Sequence, residues 1–309
     1  VQGSAGVLTS GNIVCDVLVR PVDDIAWGTS RWVDEIRRSL GGNGANTAYT
    51  IGRLGMTSRL VGLVGNDDAG EAALAALRGA GVDTGPIGRS RAPTSSTVAL
   101  VNSRGERAFL HEPGSSREAF PAPLGFTPAR IAGVTHYHLA SPFALPLHRP
   151  HLAATLGRAR AAGLSTSLDT QWDSRGRWME DLAPALPLVD ILFMNEEESR
   201  MLLGPREARA LGVARVVLKC GGDGCAIYDA EGETHVPAFQ VPVVDTTGAG
   251  DCFAGAFLFA ALSGRSPIDS ARFANGVAAL SVQCLGAVEG LGPLDETERR
   301  IAQLAVSSG

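Results

Sequence analysis

Apolar residues along this 309-residue chain fall mostly in short runs separated by glycine-rich turns. Val7–Leu8 and Ile13–Val14 flank Gly11-Asn12, and Val17–Val19 is β-branched at both ends, so the first twenty residues read as strands. A polar, irregular stretch follows to Leu40, and Ala45–Leu54 then reads as a helix closed by Gly55. Arg59–Val64 reads as one short apolar strand and Gly70–Arg78 as an alanine-rich helix. Ser96–Val101 and Arg107–His111 are strand-like, with Asn102-Ser-Arg-Gly-Glu106 as the hairpin turn between them. Strand and helix then alternate: strands at Gly133–Leu139, Leu164–Asp169 and Ile191–Met194, and helices at His151–Ala162 and Glu196–Leu203. Val213–Lys219 and Cys225–Asp229 are further strands, and the last third is helical at about 250–263, 267–284 and 294–305. This alternation predicts an α/β domain, a parallel sheet covered by helices, with the 94–112 hairpin as an insertion.

Composition adds limits. With 45% hydrophobic and 19% charged residues the chain is globular, and its net charge of −5 gives no general attraction for nucleic acid or an anionic membrane. The longest apolar run, Cys252–Leu262, is too short to span a bilayer, and the opening VQGSAG lacks the basic region and apolar core of a signal peptide. Cys15, Cys220, Cys225, Cys252 and Cys284 form no CxxC pair; reduced thiols in a cytoplasmic protein are the expectation.

The chemistry concentrates in VDTTGAGDCFAGAF, residues 244–257. VPVV predicts a parallel strand ending near Val244, and a helix is predicted to start near Gly250. A helix start offers unpaired N–H groups and partial positive charge, and glycines let the backbone approach an anion closely. Gly248, Ala249 and Gly250 therefore suit a phosphate or an oxyanion. Asp251, a carboxylate beside an anion site, needs a task, and accepting the proton of an attacking hydroxyl is one. The plainer alternative is a glycine turn with Asp251 as a helix cap. Asp245 and Thr247 supply oxygen ligands for a cation. Asp16 lies in an apolar strand, where a carboxylate needs a partner or a ligand. His136, His138, His148 and His151 lack a third ligand nearby and do not read as a metal site. There is no GxxxxGK[ST], and GGNGAN is not GxGxxG, which disfavours P-loop and nicotinamide chemistry.

The string DTTGAGD resembles the second signature of the PfkB (ribokinase-like) sugar and nucleoside kinases, DTxGAGD, and Gly41-Gly-Asn-Gly-Ala-Asn-Thr-Ala48 resembles the first. Gly11 through Asp16 is similar to the family's G-x-x-x-x-D start, Asn195-Glu-Glu-Glu198 to its N-x-x-E motif, and Lys219-Cys-Gly-Gly-Asp-Gly224 to its nucleotide-side turn. The resemblance implies a ribokinase-like fold: a central, mostly parallel sheet flanked by helices with a small β-strand lid, here from parts of 12–40 and 94–112. It implies ATP-dependent phosphorylation of a sugar hydroxyl, with Asp251 as base and Gly248–Asp251 as anion hole. Asn12, Asp16, Gly41, Gly42 and Asn43, with Phe109 and His111 of the lid, would bind the acceptor. Asn195, Lys219, Gly221, Gly224 and Asn275 would bind the nucleotide. Glu198 would hold Mg²⁺ through water, and Asp245 and Thr247 would line a K⁺ site. A homodimer packed through the lid is also implied.

A nucleoside acceptor is the alternative within the family; its base slot would draw on Trp27, Trp32 and Phe109. A non-catalytic nucleotide or sugar sensor is the alternative outside it. Asp251 weighs against that reading, because a mere binder gains nothing from a base beside an anion site.

Overall fold

The computed structural model describes residues 5–104 and 106–307. The opening VQGS and Gly105 of the expected hairpin turn lie outside the described residues. Fifteen strands are present among them: Gly6–Ser10 (β1), Val14–Arg20 (β2), Glu35–Gly41 (β3), Thr57–Val61 (β4), Leu63–Val64 (β5), Val82–Asp83 (β6), Gly88–Arg89 (β7), Ser95–Val101 (β8), Arg107–Glu112 (β9), His136–Ala140 (β10), Ser165–Asp169 (β11), Ile191–Asn195 (β12), Arg215–Lys219 (β13), Cys225–Asp229 (β14) and Gly232–Val236 (β15). Nine of them form one sheet in the order β15-β14-β13-β12-β11-β10-β1-β4-β6. It is parallel except where β13, β14 and β15 meander antiparallel at one edge. Alternate side chains fill opposite cores. Val7, Leu60, Phe193 and Val217 pack with the helices Asn43–Arg53, Asp68–Gly79, Ala249–Leu262 and Pro267–Ser281. Leu8, Tyr137, Leu168 and Leu192 pack with the helix Leu152–Ala161.

A second sheet, β3-β2-β8-β9, stands apart from the first. Its registers place Ser39, Asp16, Thr97 and His111 in one row, and Arg37, Leu18, Ala99 and Phe109 in the next. All eight side chains face the same cavity. The opposite face carries Val17, Ile36, Val98 and Leu110, as the two-residue period of a strand requires.

The helix Ala249–Leu262 is apolar nearly all round and buried from Asp251 to Ala260, as expected of a helix in the middle of a core. Gly255 sets its distance from the helix Asn43–Arg53: a Cβ there would lie 2.9 Å from the Thr47 carbonyl and 2.9 Å from Thr50 Cβ. This close crossing brings the start of one helix onto the start of the other.

Four sequence expectations need correction. Val241–Val244 is not a strand. Pro242 lacks an N–H, Val243 and Val244 are exposed, and the segment is pinned instead by Val244 and Asp245 N–H groups donating to the Val282 carbonyl. The polar stretch to Leu40 contains β3, hidden because Arg38 interrupts the apolar face between Ile36 and Leu40. Arg59–Val64 is two strands broken at Gly62, β4 in the large sheet and β5 paired with β7. The short strands β6, β7 and β15 carry too few apolar residues to signal themselves.

Candidate active site

Asp251 sits in the first turn of the helix Ala249–Leu262, buried, with both carboxylate oxygens held by amides from the facing helix start. Asn43 Nδ2 donates to Oδ1 at 2.7 Å and Asn46 Nδ2 to Oδ2 at 2.9 Å. Gln171 donates in turn to Asn43 Oδ1, which fixes the orientation of that amide. Burial lifts the Asp251 carboxyl above its ordinary range, against the Asn46 donation, the nearby Lys219 charge and the Asn43 donation. The helix is entered through Gly248 at φ 70°, a left-handed turn in which a Cβ would collide with Ala287 Cβ at 2.4 Å.

The loop 245–251 is a wall between two cavities. Asp245, Thr247, Gly248 and Asp251 face the larger, of about 1130 Å³. Thr246, Ala249 and Gly250 face the smaller, of about 380 Å³. The carboxylate of Asp251 thus opens to one side, while Ala249 and Gly250, at the N-terminus of its helix, line the other.

The larger cavity gathers Asn12, Asp16, Gly42, Asn43, Phe109 and His111, six of the seven residues expected to bind an acceptor. Gly41 backs the Asp16 carboxylate directly: a Cβ there would overlap it. Burial pushes Asp16 up to about 6, partly offset by the Thr97 hydroxyl and reinforced by Asp251 and Asp245. Asn12 Oδ1 accepts from Ser141 Oγ at 2.7 Å, and His111 Nδ1 pairs with Thr97 Oγ1 at 3.0 Å. Trp27 and Trp32 do not line this cavity and are almost fully exposed; its aromatic walls are Phe109, Phe143 and Trp172.

The smaller cavity gathers Asn195, Lys219, Gly221, Gly224 and Asn275, all five residues expected at a nucleotide. Lys219 is the only lysine of the chain. Its ammonium pairs with Asp169 at 2.8 and 3.0 Å, and a Cβ on Gly250 would lie 3.3 Å from it. Burial works against this ammonium, but Asp169 and Glu198 outweigh it and raise its pKa. Asn275 Nδ2 is spent on the Val236 and Pro237 carbonyls at 3.0 Å each. Asn195 and Glu198 form a reciprocal helix cap, and Glu198 Oε2 also accepts from Thr170 Oγ1 at 2.8 Å. No group of three or more His, Cys, Asp or Glu able to hold a metal occurs among the described residues. Glu198, the residue expected to hold Mg²⁺ through water, is buried and lines neither cavity, its Oε2 accepting from both the Asn195 N–H and the Thr170 hydroxyl.

Asp245 is buried and accepts from the Thr247 and Gly286 N–H groups at 2.8 and 3.0 Å. Arg107 of β9 reaches it across the cavity, Nη1 3.0 Å from Oδ1. Burial alone would raise this carboxyl; the two N–H donors and the guanidinium hold it below its ordinary value. The carboxylate expected to bind a monovalent cation therefore already faces one positive charge.

Sequence reasoning missed Asn46, Gln171 and Arg107. Asn46 stands inside the GGNGAN string, and its partner is named only by the helix crossing. Asp173, in the dense DTQWDSRGRW segment, is a structural clamp: it takes Arg149 through two hydrogen bonds of 2.7 and 2.8 Å and accepts three backbone N–H groups. His136 is satisfied by Ser165 and Ser167, and His138 bonds Ser167. All five cysteines are free. No helix among the described residues is long and apolar enough to cross a membrane.

The pfkB family carbohydrate kinase description matches residues 8–292. The chain is 33% identical over 289 residues to an ATP-dependent ribose-1-phosphate kinase of Halopiger xanaduensis, covering 91% of this chain and 93% of that one. It is 30% identical over 290 residues to fructokinase-1 of Zea mays, with 86% and 88% covered. Among solved structures it resembles Arabidopsis thaliana ribokinase complexed with ribose and ATP, at a TM-score of 0.83 and 24% identity, covering 96% and 99% of the two chains.

Proposed function

The chain belongs to the pfkB family of carbohydrate kinases, and from that premise we propose that it moves the γ-phosphoryl group of ATP onto a hydroxyl of a monosaccharide-like polyol, with Asp251 as the base. The observation that carries this reading is the shared wall: Asp251 opens to the larger cavity, and Ala249 and Gly250 line the smaller. An acceptor in the first cavity and ATP in the second meet at residues 248–251.

Asp16 and Asn43 suit vicinal hydroxyls, since a carboxylate accepts two protons and an amide both donates and accepts. The acceptor hydroxyl gives its proton to Asp251 as its oxygen attacks the γ-phosphorus. The bond from that phosphorus to the β–γ bridging oxygen breaks, and ADP leaves. The raised basicity of buried Asp251 suits it to hold that proton. The helix-start N–H groups and Lys219 face the charge that develops on the transferred group. Mg²⁺, when bound with ATP, neutralises phosphate charge. The sheet β3-β2-β8-β9 acts as the lid of the single domain, and its closure excludes water that would otherwise take the phosphoryl group. Asp245 and Thr247 would hold a K⁺ ion, which would order the anion-hole loop in competition with Arg107.

A nucleoside acceptor is the second reading, favoured by one feature: Phe109, Phe143 and Trp172 line the cavity and offer faces for a base. ADP release across pentoses, hexoses, adenosine and inosine tests both. Turnover of sugars supports the first reading; saturable turnover of a nucleoside with none of any sugar replaces it by the second. Absence of ADP release with all of these, and with sugar phosphates and sugar acids as well, removes both.

The outer face of the lid sheet leaves Ile36 and Leu110 more than 60% exposed. A small sheet with an apolar outer face gains by pairing, so the lid mediates a homodimer. Light scattering at micromolar concentration tests this, and a monomer there excludes it.

A further inference from the structure

The larger cavity is richer in cations than a neutral sugar needs. Arg37 projects into it from the second row of the lid sheet, beside Leu18, while its neighbour Arg38 points to the opposite face. Arg117, in the short turn after β9, and Arg175, in the loop after β11, line the same cavity. Arginines nearby are neutralised. Arg107 pairs with Asp245, Arg149 with Asp173 and Asp181, and Arg177 with Glu180 and Asp181. Arg37, Arg117 and Arg175 have no carboxylate partner among the described residues.

Charge is layered by depth. The carboxylates Asp16 and Asp251 are largely buried, whereas the three guanidinium groups are exposed at the rim. A neutral ring held by Asp16 and Asn43 leaves those groups without a role and leaves much of 1130 Å³ unfilled. An anion on the acceptor, conversely, would be repelled by Asp16 and Asp251 unless cations met it. Guanidinium is the side chain best matched to phosphate and carboxylate oxygens.

We infer that the acceptor is an anionic sugar, carrying a phosphate ester or carboxylate that Arg37, Arg117 and Arg175 receive at the rim, remote from the hydroxyl presented to Asp251. This rests on the kinase reading of the same site and narrows its substrate class. The phosphorylated hydroxyl and the existing anion then lie at opposite ends of the acceptor.

Titration calorimetry with matched probes tests it: ribose 1-phosphate against ribose, fructose 1-phosphate against fructose, and gluconate against glucitol. At least one anion binds about 10²-fold or more tightly than its neutral parent. The phosphate and carboxylate arms say which anion is read. The triple variant R37Q/R117Q/R175Q, altered only at exposed positions, brings that ratio to within a few-fold and keeps its ATP affinity. Equal binding of neutral and anionic partners in every pair, no binding of any anionic probe, or an undiminished ratio in the triple variant overturns the inference. Failure of the kinase reading shows separately, as a bound acceptor that releases no ADP.

Discussion

Arg107 Nη1 lies 3.0 Å from Asp245 Oδ1, and this ion pair joins the lid sheet to the loop that carries the candidate anion hole. The pair is mostly shielded, with 20% and 2% of the two side chains exposed. Arg107→Ala leaves Asp245 its two backbone donors, so the fold persists. The expected loss is about 1–3 kcal/mol in urea unfolding, together with a lower kcat. An unchanged midpoint and an unchanged kcat would remove the pair from both roles.

The same pair bears on cation dependence. Rates in K⁺ should exceed rates in N-methylglucamine at equal ionic strength, and the ratio should widen in Arg107→Ala, where Asp245 has lost its guanidinium. Equal rates in the two cations for both proteins would exclude a monovalent-cation site at Asp245 and Thr247.

Asp16 predicts a pH effect on acceptor use. Its carboxylate form accepts hydroxyl protons, and burial raises its pKa to about 6. The acceptor kcat/KM should therefore fall as pH drops through about 6, with the ATP KM nearly flat. The stability sign is opposite. A folded-state pKa above the ordinary 3.8 means stability is fully present below that value and is lost as pH rises through about 6. Asp16→Asn should thus unfold at a higher temperature than the parent at pH 7 while its acceptor KM rises strongly. A variant with normal acceptor KM would take Asp16 out of the acceptor site.

Lys219 and Asp169 form a buried pair, so removing one partner strands the other charge. Lys219→Met should cost about 3–5 kcal/mol of stability and raise the ATP KM. Adding Asp169→Asn should recover most of the stability and none of the ATP binding. Recovery of both would make the pair purely structural.

How far the sequence foretold this depends on the range of each interaction. GAGD and GGNGAN are local strings whose backbone needs are written in their own residues; the first lies at the wall between the cavities and the second lines the larger one. The large sheet was legible because its buried strands are nearly continuous apolar runs, such as Ile191–Asn195. Partnerships between distant segments were not. Asn46 acquires its role only because Gly255 lets two helix starts meet. Arg107 is one polar residue of a hairpin until the lid faces Asp245. VPVV has the composition of a strand, but Pro242 and the Val282 carbonyl turn it into a pinned connection.

The most direct measurement is single-turnover phosphoryl transfer by Asp251→Asn, with ATP affinity measured alongside by calorimetry. Asn43 and Asn46 donate to its two oxygens, and Asn46 can turn its unpartnered Oδ1 toward the new N–H group, so the near-isosteric amide keeps its shape and loses its basicity. The account predicts that transfer slows on the order of 10²–10⁴-fold while ATP affinity stays within a few-fold of the parent. Transfer at the parent rate would contradict Asp251 as the base.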